Sequence, residues 1–348
     1  MKKVILSFLL FFSSYLFAQL GGEYSFSFLN LAENAKVAAL GGDLISSYDS
    51  TDVYSGISNP ANLQESHAGV ISLNFLPLRG GIRKSSVAYA SDFKKLGLLN
   101  FSIQHVGYGD IDGTDQFGNS LGSFSPREYA ITIGKSFEQG PFSLGASFKF
   151  AGAHLASYSS FAVLTDLGGT WVHPHMDLRA SLLIKNLGFS IKSFVPGSPT
   201  NVPLNPQLGI SFKPEHMPVR FHLTAHNLHR YDIQFLDPNN TFEIDENGDQ
   251  IAEEKQISEQ IFRHITVGAE ILLFKNLQFR MGYSHLRRKE LKAPESGGAG
   301  FSFGGILRIK RIAFEFSRAY FFAGQGSSVI SINTLLGKKS TKTSTTNI

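Results

Sequence analysis

Cysteine is absent from all 348 residues. Its absence excludes disulfide stapling, lipid attachment through an N-terminal Cys, and thiolate metal sites or nucleophiles. Beyond the first residues no stretch approaches the ~18 consecutive apolar residues of a transmembrane helix. Charge of one sign is not in excess either. Without Lys2 and Lys3 the 32 basic residues become 30, against 28 acidic ones, so nothing points to nucleic acid. Stability has to come from packing and strand pairing.

What is present begins with a leader. Lys2 and Lys3 precede an apolar run from Val4 to Phe17, closed by Ala18, the three-part layout of a secretory signal peptide. The run is shorter than the ~20 residues of a spanning helix, so residues 1–18 read as a removed signal peptide with Gln19 as the mature N-terminus. Phe (31) and Gly (34) are abundant. The pair suits a soluble secreted β protein, and equally a closed barrel in lipid with Phe outside and Gly relieving strand curvature.

From about Gly69 the chain reads as period-2 segments. Phe142, Leu144, Ala146, Phe148 and Phe150 alternate with Ser143, Gly145, Ser147 and Lys149, and Leu277, Phe279, Met281 and Tyr283 with Gln278, Arg280, Gly282 and Ser284. Leu99–Gln104 and Arg220–Ala225 do the same. A weaker rhythm covers 70–76, 84–92, 128–137, 159–171, 177–186, 205–212, 264–273, 298–308, 311–319 and 328–336. This makes roughly fourteen strands. Alternation alone also fits a soluble sheet, and the spacing of the links decides. Short links at 92–97, 138–140, 173–175, 214–218, 275–276 and 310–311 take turns with longer ones at 109–127, 151–158, 187–204, 227–263, 284–297 and 320–327. An up-and-down barrel needs this parity, with tight turns on the periplasmic side and loops outside. The predicted fold is therefore an all-β, transmembrane, up-and-down antiparallel β-barrel over 69–337, in the outer membrane of a Gram-negative bacterium.

Residues 19–68 do not alternate. Leu31–Leu40 is Ala-rich, with Asn30 and Glu33 placed as cap and third helical residue and Gly41-Gly42 as the stop. A short helix packed in the lumen as a plug is expected, with a periplasmic tail as the rival. Asn59-Pro60-Ala61 reads as a turn before the first strand.

The run Phe28-Leu-Asn-Leu-Ala-Glu-Asn-Ala-Lys-Val-Ala-Ala-Leu-Gly-Gly42 with Asn59-Pro-Ala-Asn-Leu63 resembles the N-terminal signature of the PorV/PorQ family. Asp115-Gln-Phe-Gly-Asn119 with Gly122, Phe124 and Tyr129-Ala130 is similar to its second strand-loop signature, and Phe262–Glu270 to its late-barrel motif. The resemblance covers essentially the whole mature chain and lies nearer the PorQ branch. That family is in turn similar to FadL-type fourteen-stranded barrels with an N-terminal plug. The resemblance implies a non-enzymatic component of the type IX protein secretion system of Bacteroidota. It would anchor a PorZ-like surface protein in an attachment complex with PorU and PorV, without a cofactor. One departure is the polar C-terminal tail, 338–348, where many such barrels end on an aromatic residue.

Residue chemistry adds little. Ser91-Asp-Phe-Lys94 has Ser-x-x-Lys spacing but no companion motifs. His226 with His229, and His173 with His175, lack further zinc ligands at the right spacing. Asp110, Asp112 and Asp115, like Asp245, Asn247 and Asp249, have carboxylate spacing compatible with calcium, but both sets miss the Gly and terminal Glu of an EF-hand. Turn formation explains both without metal.

The 227–263 link is long enough to carry a hairpin near Asn247-Gly248 and an amphipathic helix near Glu253–Phe262, with Ile257, Ile261 and Phe262 as its apolar face. It reads as a docking surface or a lid. The expected partner-binding residues are Phe235, Phe242, Ile257, Ile261 and Phe262 here, and Asp115, Phe117 and Asn119 in the 109–127 loop. The alternative is a FadL-like outer-membrane transporter of hydrophobic small molecules, which requires a continuous apolar pocket near the plug. A third reading, a surface hydrolase, requires a nucleophile and base brought close together.

Overall fold

The structure, a computed structural model, describes residues 24–195, 197, 200–233, 242–244, 250–252, 257–291, 298–322 and 325–336. The predicted leader, Phe235, the turn residues near Asn247-Gly248 and the tail 338–348 lie outside these residues.

Fourteen strands close into one antiparallel barrel. In chain order they are β1 (Val70–Pro77), β2 (Arg83–Phe93), β3 (Gly97–Gly107), β6 (Arg127–Gln139), β7 (Phe142–Leu155), β8 (Tyr158–Val172), β9 (Asp177–Lys192), β10 (Asn205–Lys213), β11 (Val219–Ala225), β14 (Ile265–Ile271), β15 (Leu277–Ser284), β16 (Phe301–Ile309), β17 (Ile312–Phe322) and β18 (Gln325–Leu335). The remaining strands form hairpins in the loops: β4 (Ile111–Thr114) with β5 (Ser120–Phe124), and β12 (Phe242–Ile244) with β13 (Gln250–Ala252). Closure is made by β1 on β18, from Val70 opposite Leu335 to Phe75 opposite Ile330. Every edge is thereby paired, which a sheet in hydrocarbon requires because lipid offers backbone groups no partner.

The two faces follow the alternation in the sequence. On β7, Phe142, Leu144 and Phe148 are exposed outward while Ser143, Ser147 and Lys149 are buried inward. Leu73, Phe75, Ile131, Ile133, Phe279, Phe303, Phe314 and Phe316 extend the outer apolar coat. In water each such side chain would forgo about 1.5–3 kcal/mol, so this surface belongs in lipid. No helix among the described residues is long and apolar enough to cross a membrane; the strands do so.

Two links differ from expectation. β7 runs to Leu155 and β8 starts at Tyr158, so the loop predicted over 151–158 is a tight turn with Ala156 at φ 51°. The 320–327 link likewise shrinks, because β17 reaches Phe322 and β18 begins at Gln325. The long links that remain all lie at one end of the barrel, together with these two short links and the turn between β1 and β2.

Residues 24–68 sit inside. They form a 3-10 turn at Ser27–Asn30, helices α1 (Ala35–Ala39) and α2 (Tyr54–Ser58), and further 3-10 turns at Pro60–Asn62 and Glu65–His67. Phe26, Phe28 and Leu29 pack against Ala130, Ala151, Ala153 and Ala162 of the wall, small residues that make room for rings. α1 packs beside Leu76, Leu78, Ala319 and Val329, and α2 beside Val70, Ala88 and Ala90. The lumen is thus not uniformly polar, as it carries apolar seats matched to the plug.

The cap of α1 is Asn34, whose side chain accepts from the Val37 N–H, and not Asn30, which ends the preceding 3-10 turn. Glu33 is not a helical residue. Its carboxylate turns away to accept from Ser58 and to pair with Lys185 of β9. A buried charge gains more from a cation than from a backbone N–H. Gly41 and Gly42, at φ 100° and 101°, end the helix, and the Gly42 N–H donates to Val37.

Candidate functional site

The plug is tied to the wall by charges that the strands hold on their inner faces. Lys36 of α1 lies 3.6 Å from Glu270 of β14, and Glu270 also meets His222 of β11 at 3.1 Å. Arg280 of β15 pairs with Glu315 of β17 at 2.5 Å, and Glu315 accepts from Asn333 of β18. Asp49 of the plug reaches Arg308 of β16 at 2.7 Å and lies 3.9 Å from Arg280. Lys84 of β2 donates to the carbonyls of Phe28, Leu31 and Ala32. Burial alone would raise the Glu33 carboxyl, but Lys185 and Lys149 hold it at about 2. Burial likewise works against Asp49, and Lys36, Arg308 and Arg280 bring it to about 2. Asp52, which accepts from Asn34 and from the Tyr54 N–H, goes the other way, pushed to about 7 by burial and by Glu315.

Asn59 and Pro60 press on the wall where β7 and β8 carry glycine. A Cβ on Gly145 would lie 2.2 Å from the Pro60 carbonyl carbon, and one on Gly168 would lie 2.0 Å from Asn59 Oδ1. Asn59 Oδ1 accepts from the Ala61 N–H, and its amide donates to the Ile45 carbonyl. Gly145→Val is therefore expected to loosen the plug by about 1–3 kcal/mol, the usual cost of overpacking. Limited proteolysis of the folded barrel should cut within 43–62 faster in this variant. Unchanged cutting would show that the contact yields freely.

One constellation has the composition of a nucleophilic triad. Ser211 Oγ lies 2.6 Å from His222 Nδ1, and His222 Nε2 lies 3.1 Å from Glu270. No local pattern announces it, because the members come from β10, β11 and β14. It does not make a hydrolase site. Ser211 Oγ is met from the plug by Ser46 Oγ at 2.6 Å, Glu270 is neutralised by Lys36, and all three residues are buried. The chain Ser46–Ser211–His222–Glu270–Lys36 starts and ends in the plug and works as a tether. Ser91 and Lys94 stay apart in role, Ser91 within β2 and Lys94 in the turn after it.

The remaining predicted positions lie at the loop end. Asp115 accepts from the backbone N–H groups of Phe117 and Asn119 and from the Asn119 amide, a self-contained turn that leaves Phe117 exposed at the hairpin tip. His173 Nδ1 accepts from the N–H groups of His175 and Met176 and caps a turn at the opposite end. Among the described residues no group of three or more His, Asp or Glu could hold a metal. Phe242 pairs in β12 with Ala252. Helix α3 (Ile257–Arg263) carries Ile257, Ile261 and Phe262 on its surface, each half exposed or more.

Helix α4 (His285–Glu290), which the pattern of apolar residues did not reveal, packs beside α3. Lys289 and Arg263 both bind Glu259, and Phe262 contacts the His285 ring. Its sequence signal is Ser284, whose hydroxyl accepts from the Arg287 N–H. Between these helices and the top of the plug lies a cavity of ≈ 600 Å³ lined on the plug side by Tyr24, Asn30, Leu31 and Asp43. Below it, the void between plug and wall beside Glu33 and Lys185 is ≈ 10 Å³, about the least space that holds one water.

A closed barrel with an apolar exterior and a charge-tethered internal plug defines the class, a plugged outer-membrane β-barrel. No family model matches the chain, and no curated protein matches it. Among solved structures it is similar to the TodX deltaS2S3 mutant monoaromatic hydrocarbon channel (13% identity, TM-score 0.48, covering 87% of this chain and 97% of that one). It is also similar to the KdgM porin (7% identity, TM-score 0.32, covering 76% of this chain and 98% of that one). The barrel assignment rests on the strand pairing itself, and what those proteins carry is a property of theirs.

Proposed function

We propose that this barrel is a non-enzymatic outer-membrane anchor that holds a protein partner at its loop end. The observation that supports this is a lumen occupied by a charge-tethered plug beneath an exposed apolar helix. The plug is tethered to the wall by buried ion pairs, while α3 presents Ile257, Ile261 and Phe262 to the outside. Large apolar side chains on a rigid scaffold are the usual core of a protein interface. In the terms of the PorV/PorQ resemblance, the partner is a PorZ-like surface protein and the setting is the type IX attachment complex with PorU and PorV.

Deleting 236–252 is expected to leave the barrel assembled and to abolish co-purification of a large soluble surface protein from outer membranes, followed by mass spectrometry. Unchanged co-purification would exclude that loop. A second reading, a FadL-like transporter of hydrophobic molecules, draws on the ≈ 600 Å³ cavity above the plug. Against it, that cavity is lined by Arg263, Arg287, Lys289, Asp43 and Glu290, and not by a continuous apolar wall. Recovery of lipid alone in the same purification would favour transport.

A further inference from the structure

Two residues that line the mouth cavity carry buried polar atoms that the protein itself does not satisfy. His226, 2% exposed, and Arg263, 6% exposed, both line it. His226 follows β11, and its backbone N–H and carbonyl are both bound to His264. Its Nδ1 lies 3.1 Å from the Asn227 amide nitrogen. An amide nitrogen can only donate, so Nδ1 accepts and the ring proton sits on Nε2. Burial lowers the affinity of this ring for a second proton, which keeps it a neutral, single donor. Nε2 has no hydrogen-bond partner. The Arg263 guanidinium gives one terminal N–H to Glu259 at 2.8 Å, while its Nε is buried without a partner. Each such orphan costs about 1–3 kcal/mol, more for a charged group, and a ligand oxygen would remove that penalty.

The two orphans have the same character: both are donors. The other charges of the lining are Arg287 and Lys289 on α4, Asp43 at the top of the plug and Glu290. Asp43 is engaged by the Gln207 amide at 3.4 Å, and burial pushes the Glu290 carboxyl toward its neutral form. The balance leaves the cavity cationic and rich in N–H groups. Beside these lie Leu31, Leu204, Leu286 and Leu291, with Asn30 and Asn227, a mixed wall for the body of a small molecule.

We propose that this cavity binds a small solute bearing a carboxylate or a phosphate, whose oxygens accept from His226 Nε2–H and Arg263 Nε–H. The proposal is separate from docking, since Ile257, Ile261 and Phe262 do not line the cavity. Isothermal titration of the full-length barrel in detergent tests it with four probes: glucuronate, glucose 6-phosphate, inorganic phosphate and uncharged glucose. At least one of the two sugar acids should bind while glucose does not, and the tighter of them identifies the acid group. Arg263→Gln and His226→Gln should each weaken that binding about tenfold. Glu215→Ala, in an exposed turn at the opposite end, should leave it unchanged, and heat-modifiable gel migration verifies that each variant is folded. Glucose binding as well as the acids, inorganic phosphate binding as tightly as either, no binding at all, or folded variants with unaltered affinity would each overturn the proposal.

Discussion

Replacing Lys149 with Met is expected to destabilise the barrel by about 3–5 kcal/mol, the cost of leaving a buried charge without its partner. Asp166, 0% exposed, lies 2.6 Å from Lys149 Nζ. Its oxygens also accept from the Asn186 N–H and from Ser147, and Lys149 donates in turn to Asn186 Oδ1. The cluster sits where the pairing of β8 with β9 changes register between Thr165 and Leu167, and Asn186 takes φ 59°. A bulge leaves backbone groups out of the ladder; here the Asp166 carboxylate supplies the acceptor, and Lys149 supplies the charge that keeps the carboxylate in place. The urea midpoint of the heat-modifiable band measures the effect. Lys149→Met combined with Asp166→Asn should recover much of the loss, because the uncompensated charge disappears. A shift below about 1 kcal/mol would mean that the pair behaves as a solvated surface bridge.

The strands were legible because lipid outside and a filled lumen inside impose a period of two on the membrane strands, from Phe142–Phe150 to Leu277–Ser284. Link lengths were legible where Gly, Pro and Asn mark turns, and misjudged at Ala156-Ser157. There a non-glycine residue takes positive φ, which composition rules assign to loops. The cap falls at Asn34 and not at Asn30, although the local rule favours Asn30, three residues ahead of Glu33. What separates them is Lys185, brought to Glu33 from 152 positions away. The tethers were half legible. Lys149, Arg280 and Glu270 stand on the inner faces of their strands, so a charge in the lumen was visible. Which carboxylate answers which cation depends on barrel register and on the plug's position, and neither is a property of a local window. The same holds for the mouth cavity, where His226, Arg263 and Arg287 arrive on three separate segments.

Lys36→Glu is expected to unseat the plug and raise the conductance of the barrel. Lys36 is buried in α1 against Glu270, with Asp49 and Asp52 on the same plug and Glu315 on the wall. Asp52 is already pushed to about 7 by burial and Glu315, so a further carboxylate beside it meets repulsion. A carboxylate at position 36 removes a cation and adds an anion at one stroke. At about 3–5 kcal/mol for a broken buried pair, the ratio of seated to unseated plug falls by roughly two to four orders of magnitude. Planar-bilayer recording should then show more frequent openings than in the wild type. Lys36→Met, which adds no repulsion, should open less often, and Lys36→Glu with Glu270→Gln should be partly restored. If Lys36→Glu conducts no more than the wild type while the barrel melts as the wild type does, the apolar seats of Phe26, Phe28 and Ile57 hold the plug, and the ion pairs fix its register and not its occupancy.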